Sequence, residues 1–115
     1  MSDCIFCLIA NGTIPAEIVW QDERVVAFRD LHPQAPVHVL IIPRAHCSGR
    51  DDDVPAEVYA ALCAAAPLVA RATGVADSGY RLIVNTGPDA GQTVMHLHVH
   101  LLGGTVMSEG MVTLE

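Results

Sequence analysis

The sequence predicts an α+β fold with a mostly antiparallel five-stranded sheet, one long helix and one short one. Two observations predict it. Short β-type runs are grouped before and after one long alanine-rich stretch instead of alternating with helices. The 115-residue chain is also 51% hydrophobic, which suits one ordinary domain with a core of its own. With no internal repeat, low-complexity stretch or linker, residues 1–115 are read as one domain. Acidic residues outnumber basic ones 13 to 6, lysine is absent, and the formal net charge is −7. That balance repels a phosphate backbone and argues against a nucleic-acid partner. No apolar run reaches the ~20 residues that span a bilayer, and the N-terminus lacks the basic-then-apolar layout of an export signal. No membrane partner and a cytoplasmic location are therefore expected.

Taken in order, Glu17–Asp22 (EIVWQD) and Arg24–Asp30 (RVVAFRD) read as an antiparallel hairpin around a tight polar turn. His38–Ile42 (HVLII) is a third strand, entered through Pro33 and Pro36 and closed by Pro43. The acidic run Asp51–Asp53, then Val54-Pro55, precedes an alanine-rich helix that ends at Gly74. Val58, Leu62, Ala65 and Val69 supply its apolar stripe, and Pro67 is expected to kink it. Tyr80–Asn85 (YRLIVN) is a fourth strand, and Val94–Leu102 (VMHLHVHLL) a fifth, ending at Gly103-Gly104.

The fifth strand carries the chemistry. His96, His98 and His100 stand at alternate positions, so an extended strand puts all three imidazoles on one face. Met95, Leu97, Val99 and Leu101 then point the other way, into apolar packing. Just before them, Asn85-Thr86-Gly87-Pro88-Asp89-Ala90-Gly91-Gln92-Thr93 has the small, glycine-rich composition of a loop that presents backbone N–H groups to an anion. Two chemistries suit such histidines. One is a three-histidine zinc centre with an open position for water. The other is phosphorus chemistry, with one neutral imidazole as nucleophile and its far nitrogen donating to a backbone carbonyl.

The run His96-Leu97-His98-Val99-His100-Leu101-Leu102 resembles the H-x-H-x-H-x-x signature of the histidine-triad (HIT) superfamily. Ile14-Pro15-Ala16-Glu17, Phe28-Arg29-Asp30, Pro33-Gln34-Ala35-Pro36-Val37-His38 and Ile42-Pro43-Arg44-Ala45-His46 are similar to its Hint branch. So are Gly91-Gln92-Thr93-Val94 and Leu102-Gly103-Gly104, and the likeness covers nearly the whole chain. It implies a HIT-like fold and a hydrolase that cleaves purine nucleoside 5′-phosphoramidates through a covalent AMP–His98 intermediate. Within that reading His100 donates to a non-bridging phosphoryl oxygen, and His38 supports the triad from the neighbouring strand. Asp30 holds the ribose hydroxyls, while Asn85, Gly91, Gln92 and Thr93 lie on the phosphate side. Phe6, Ile9, Phe28 and Leu31 form the slot for the base. Hint proteins typically carry serine at the Thr93 position; threonine adds a methyl that bears on the leaving group.

The pair Cys4-x-x-Cys7 reads as half a zinc site or a redox pair, because without an export signal disulfides are less expected. The resemblance implies a structural zinc held by Cys4, Cys7, His46 and His96, which leaves His98 and His100 for catalysis. It also implies a two-fold homodimer with a ten-stranded sheet, and Ala60, Ala61, Ala64 and Ala65 permit close approach along the long helix. Hydrolysis of dinucleoside polyphosphates, and a nucleotide-binding regulatory module with little turnover, stand as alternatives.

Overall fold

The computed structural model describes residues 4–50 and 53–112. A short helix α1 (Ile5–Ala10) leads into strands β1 (Ile18–Gln21), β2 (Val25–Arg29) and β3 (Val37–Pro43). The long helix α2 (Ala56–Thr73) follows, then β4 (Tyr80–Val84), a single 3₁₀ turn (Pro88–Ala90) and β5 (Val99–Gly103). The strands form one sheet in the order β1-β2-β3-β5-β4, and every neighbouring pair is antiparallel. The α+β fold class is as the sequence predicts.

Alternation along the central strands divides the core into two layers. Val25, Ala27, Val39, Ile41, Val99 and Leu101 face α2 and pack on Leu62, Ala65, Ala66, Val69 and Ala70. Val26, Phe28, Leu40 and Ile42 face the other way and pack on Phe6 and Ile9 of α1. Both faces of β3 are thus covered, which explains its uninterrupted apolar run. His38 and His100 lie on the α1 face, and the site is built there.

Helix α2 ends on Gly74 in the left-handed conformation (φ 82°), where a Cβ would be strained, as the sequence suggested. It runs unbroken across Pro67. Asp51 and Asp52 of the acidic run lie outside the described residues. Asp53 does not cap the helix. Its carboxylate accepts the backbone N–H groups of Ser48 and Gly49, at 2.7 and 3.3 Å, and so shapes the preceding loop. Of the four alanines read as permitting close approach along this helix, Ala60 and Ala64 are exposed, Ala61 is half-buried and Ala65 belongs to the core.

The fifth strand is shorter than expected. Residues 94–98 are irregular, and the ladder begins only at Val99. Continuing the β3–β5 register, Ile41 opposite Val99, would set Leu97 against Pro43, which has no N–H to give. The Leu97 N–H turns instead to the Cys47 carbonyl at 2.7 Å. Met95 is exposed and not in apolar packing, whereas Leu97, Val99 and Leu101 are buried as predicted.

Candidate active site and metal centre

His98 stands one residue before β5. Its Nδ1–H donates to the carbonyl of His96 at 2.7 Å, a contact within its own segment that turns the ring and, in the neutral imidazole, places the lone pair on Nε2. The Phe6 ring meets it edge-on with centroids 5.1 Å apart, and the His100 ring lies 5.0 Å away. An imidazole anchored at one nitrogen and apolar on one flank is held ready to attack phosphorus with the other nitrogen.

His100, on β5, and His38, on β3, are diagonal neighbours across the ladder, which pairs Leu40 with His100 and His38 with Leu102. His38 Nε2 lies 2.9 Å from His100 Nδ1, and His38 Nδ1 accepts the Gln34 backbone N–H at 3.1 Å. Burial, with His98 and His38 adjoining, pushes the His100 pKa down to about 4, against the opposing effect of Asp30. Burial also lowers the His38 pKa, and Asp30 partly offsets it. Both rings are therefore neutral at pH 7. Asp30, just after β2, places one carboxylate oxygen 3.5 Å from His38 Nε2, and the other accepts the His32 N–H at 2.8 Å.

The loop before the triad is braced from within. Gln92 is only 7% exposed; its Oε1 accepts the Gly87 N–H at 2.8 Å. Its Nε2 donates to Ser48 O at 2.6 Å and Val94 O at 3.2 Å. Both ends of that amide are engaged, within the loop and across to Ser48, so Gln92 braces the loop against the segment after β3. Gly87 (φ 82°, ψ 175°) occupies a backbone region open in practice only to glycine. Gly91 and Thr93 are exposed on this loop, and Asn85 is half-buried just past β4.

Of the four residues expected to form the base slot, three come together. Phe6, Ile9 and Phe28 share one buried cluster, with the Phe6 and Phe28 rings 5.5 Å apart. Leu31 is 87% exposed and does not belong to that buried cluster.

At the N-terminal end, four side chains converge. Cys4 Sγ lies 3.2 Å and Cys7 Sγ 3.5 Å from His96 Nδ1, and Cys7 Sγ lies 3.3 Å from His46 Nδ1. The two Nδ1 atoms are 3.3 Å apart. Around an ion with Zn–N bonds of about 2.05 Å, a tetrahedral N–N edge is about 3.3 Å, so the nitrogens already stand at ligand spacing. His96 is fully buried and its Nε2–H is held by the Pro43 carbonyl at 2.9 Å, which leaves Nδ1 unprotonated for a metal. Burial also lowers its pKa. Two thiols and two imidazole nitrogens converging at these distances fit a closed zinc site. The three triad histidines do not meet at one point. Among the described residues, the ligand clusters are Cys4, Cys7, His46 and His96, and separately Asp30, His38 and His100.

Sequence reasoning missed two groups. The Gln34 amide is a backbone donor and leaves no mark in residue type. Arg44 bonds the carbonyls of Asp22 and Ala10 and the Gln21 side chain, at 2.7 to 2.8 Å, and so ties the end of α1 to the β1–β2 turn. An arginine beside a proline at a strand end is the only sequence trace of that brace.

This fold, with a histidine triad at the start of an inner strand, has known relatives. The HIT domain family model matches residues 11–107. The purine nucleoside phosphoramidase of Escherichia coli (strain K12) is 48% identical over 105 residues, covering 89% of this chain and 87% of that one. A 14 kDa zinc-binding protein of Zea mays is 42% identical over 111 residues, covering 93% and 86%. The solved structure of a HIT family hydrolase from Clostridium thermocellum superposes with a TM-score of 0.91 at 44% identity, covering 97% of this chain and 99% of that one. The chain belongs to the HIT domain family, and it is a hydrolase of that family.

Proposed function

We propose that this chain is a nucleotide-binding hydrolase that cleaves purine nucleoside 5′-phosphoramidates into AMP and an amine. The observation that carries the reading is the His98 ring, whose Nδ1 lies 2.7 Å from the His96 carbonyl, which in the neutral imidazole places the lone pair on Nε2. His98 Nε2 attacks phosphorus. The P–N bond breaks with its electron pair passing to the amine, which takes a proton from water. Water then attacks phosphorus, the Nε2–P bond breaks with its pair returning to Nε2, and the water gives up its proton. Overall one water is consumed. His100 donates from Nε2–H to a non-bridging oxygen, where charge builds in the transition state. Thr93 sits on the leaving-group side, Asn85 and Gly91 flank the phosphate, and Asp30 receives the ribose hydroxyls. Phe6, Ile9 and Phe28 offer the base an apolar wall. The name of the E. coli relative supports the substrate class.

A zinc ion on Cys4, Cys7, His46 and His96 supplies structure alone, since four protein ligands leave no open position. It would clamp α1, and with it Phe6, to the segment that carries His98. The name of the maize relative supports the metal. A homodimer completes the reading: β4 is an edge strand with Leu82, Ile83 and Val84 exposed, and Ala60, Ala64 and Leu68 lie exposed on α2. Pairing β4 with its copy would give ten strands.

The test is a rapid alkaline quench of the enzyme with an adenosine phosphoramidate, because a histidine N–P bond survives base and hydrolyses in acid, followed by peptide mass analysis without acidification. An adenylyl group on the peptide carrying His98 is expected. Turnover with no covalent adduct at any quench time would contradict the two-step route.

A further inference from the structure

Among the described residues there are two histidine-containing clusters, and the backbone sets their protons in opposite ways. At the N-terminal cluster a carbonyl, Pro43 O, accepts from His96 Nε2–H and leaves Nδ1 bare. At the other a donor, the Gln34 N–H, points at His38 Nδ1 from 3.1 Å. A neutral imidazole carries one proton, so a ring that accepts at Nδ1 must carry it at Nε2.

We propose that the backbone amide of Gln34 is a positioning group that sets the tautomers of both His38 and His100, and that it thereby keeps the Asp30–His38–His100 cluster free of metal. With its proton on Nε2, His38 donates to His100 Nδ1 at 2.9 Å, and Asp30 Oδ2 lies 3.5 Å from the same nitrogen. His100 Nδ1 is then an acceptor, so its own proton sits on Nε2, the atom that the proposed reaction requires as a donor. One N–H thus orders two rings. Gln34 and Ala35 stand between Pro33 and Pro36, and neither proline has an N–H to offer in their place.

The same setting bears on metals. One ligand atom each from Asp30, His38 and His100 lies within 4.8 Å of the others, the makings of a two-histidine, one-carboxylate site. A metal there needs the lone pair of His38 Nε2. The displaced proton would have to move to Nδ1, where it would face the Gln34 N–H donor to donor. The chain therefore takes one equivalent of metal and not two.

The inference rests on the proposed reaction only for the use made of His100 Nε2–H; the proton positions stand without it. The test compares Gln34→Pro, which deletes the N–H, with Gln34→Ala, which keeps it; the Gln34 side chain is exposed. Long-range ¹H–¹⁵N NMR on histidine-labelled, zinc-loaded protein reads each ring nitrogen directly. In wild type and Gln34→Ala, His38 and His100 are expected to be protonated at Nε2 and bare at Nδ1. In Gln34→Pro the His38 signals become a tautomer mixture, and kcat falls at least about tenfold with KM little changed. Cobalt(II) then adds a second equivalent that shows no thiolate charge-transfer band. Wild-type His38 protonated at Nδ1 would overturn the inference, and that reading needs no variant to fold. Unchanged spectra, activity and cobalt stoichiometry in Gln34→Pro would overturn it too. The stated tautomers, in a protein that leaves phosphoramidates uncut, would sink the substrate assignment and leave the positioning role standing.

Discussion

His38 Nε2 and His100 Nδ1 lie 2.9 Å apart across the β3–β5 ladder, on the diagonal that places two same-face side chains within reach. Both rings are neutral, so a single hydrogen serves the contact. A second proton on His100 would set two N–H groups against each other.

That geometry gives a pH prediction. His100 titrates at about 4 in the folded chain, from a starting value of 6.5. Between those values the unfolded chain binds the proton and the folded chain does not. The contribution to stability is therefore complete above about 6.5 and is lost as pH falls toward 4. Urea unfolding from pH 7 to 4.5 is expected to show a steeper loss of stability in wild type than in His100→Gln. Equal slopes would remove the neutral pair from the account.

The Cys4–Cys7–His46–His96 cluster gives a metal prediction. Purified protein is expected to hold one zinc per chain, and Cys7→Ser to hold none while keeping His98 in place to react. Stripping the metal is expected to lower the melting temperature by at least about 5 °C, since ~1 kcal/mol moves the midpoint by about 4–8 °C at close to this size. Zinc that survives Cys7→Ser but leaves with His98→Ala would relocate the metal to the triad.

Leu97 connects the two centres. It lies between His96 and His98 in sequence, is buried in the α2-side core, and its N–H holds the Cys47 carbonyl. Leu97→Ala is expected to cost about 2–5 kcal/mol in chemical denaturation. A loss under ~1 kcal/mol would show that the irregular segment 94–98 is not anchored by this side chain.

The exposed edge of β4 gives the assembly prediction. Wild type is expected to sediment as a dimer, and Leu82→Lys with Val84→Lys as a folded monomer, because charges on that edge oppose strand pairing. A wild-type monomer at micromolar concentration would refute the ten-stranded sheet.

The elements were legible wherever local pattern and tertiary packing agree. The hairpin, the apolar β3, the alanine-rich α2 and its Gly74 stop all follow from composition and punctuation. The triad was legible as a group, but the reason for its geometry was not. Period-2 logic puts His96, His98 and His100 on a strand, whereas Pro43 opposite Leu97 ends the ladder and only His100 is in regular β structure. The imidazoles diverge from there: His96 to the cysteines, His98 onto its own backbone, His100 toward His38. Leu31 and Gln92 show another limit. Residue type does not reveal that Leu31 is exposed or that the Gln92 amide is engaged by Gly87, Ser48 and Val94. Backbone donors such as the Gln34 N–H are invisible to any reading of side chains.

The central claim is that His98 Nε2 is the nucleophile of a phosphoramidate hydrolase. The most direct measurement is AMP release from an adenosine 5′-phosphoramidate of a lysine-like amine, for wild type beside His98→Ala, with AMP binding and folding checked for both. The account predicts turnover by wild type and a loss of several orders of magnitude in His98→Ala, with AMP still bound. Equal release by the two proteins would contradict it.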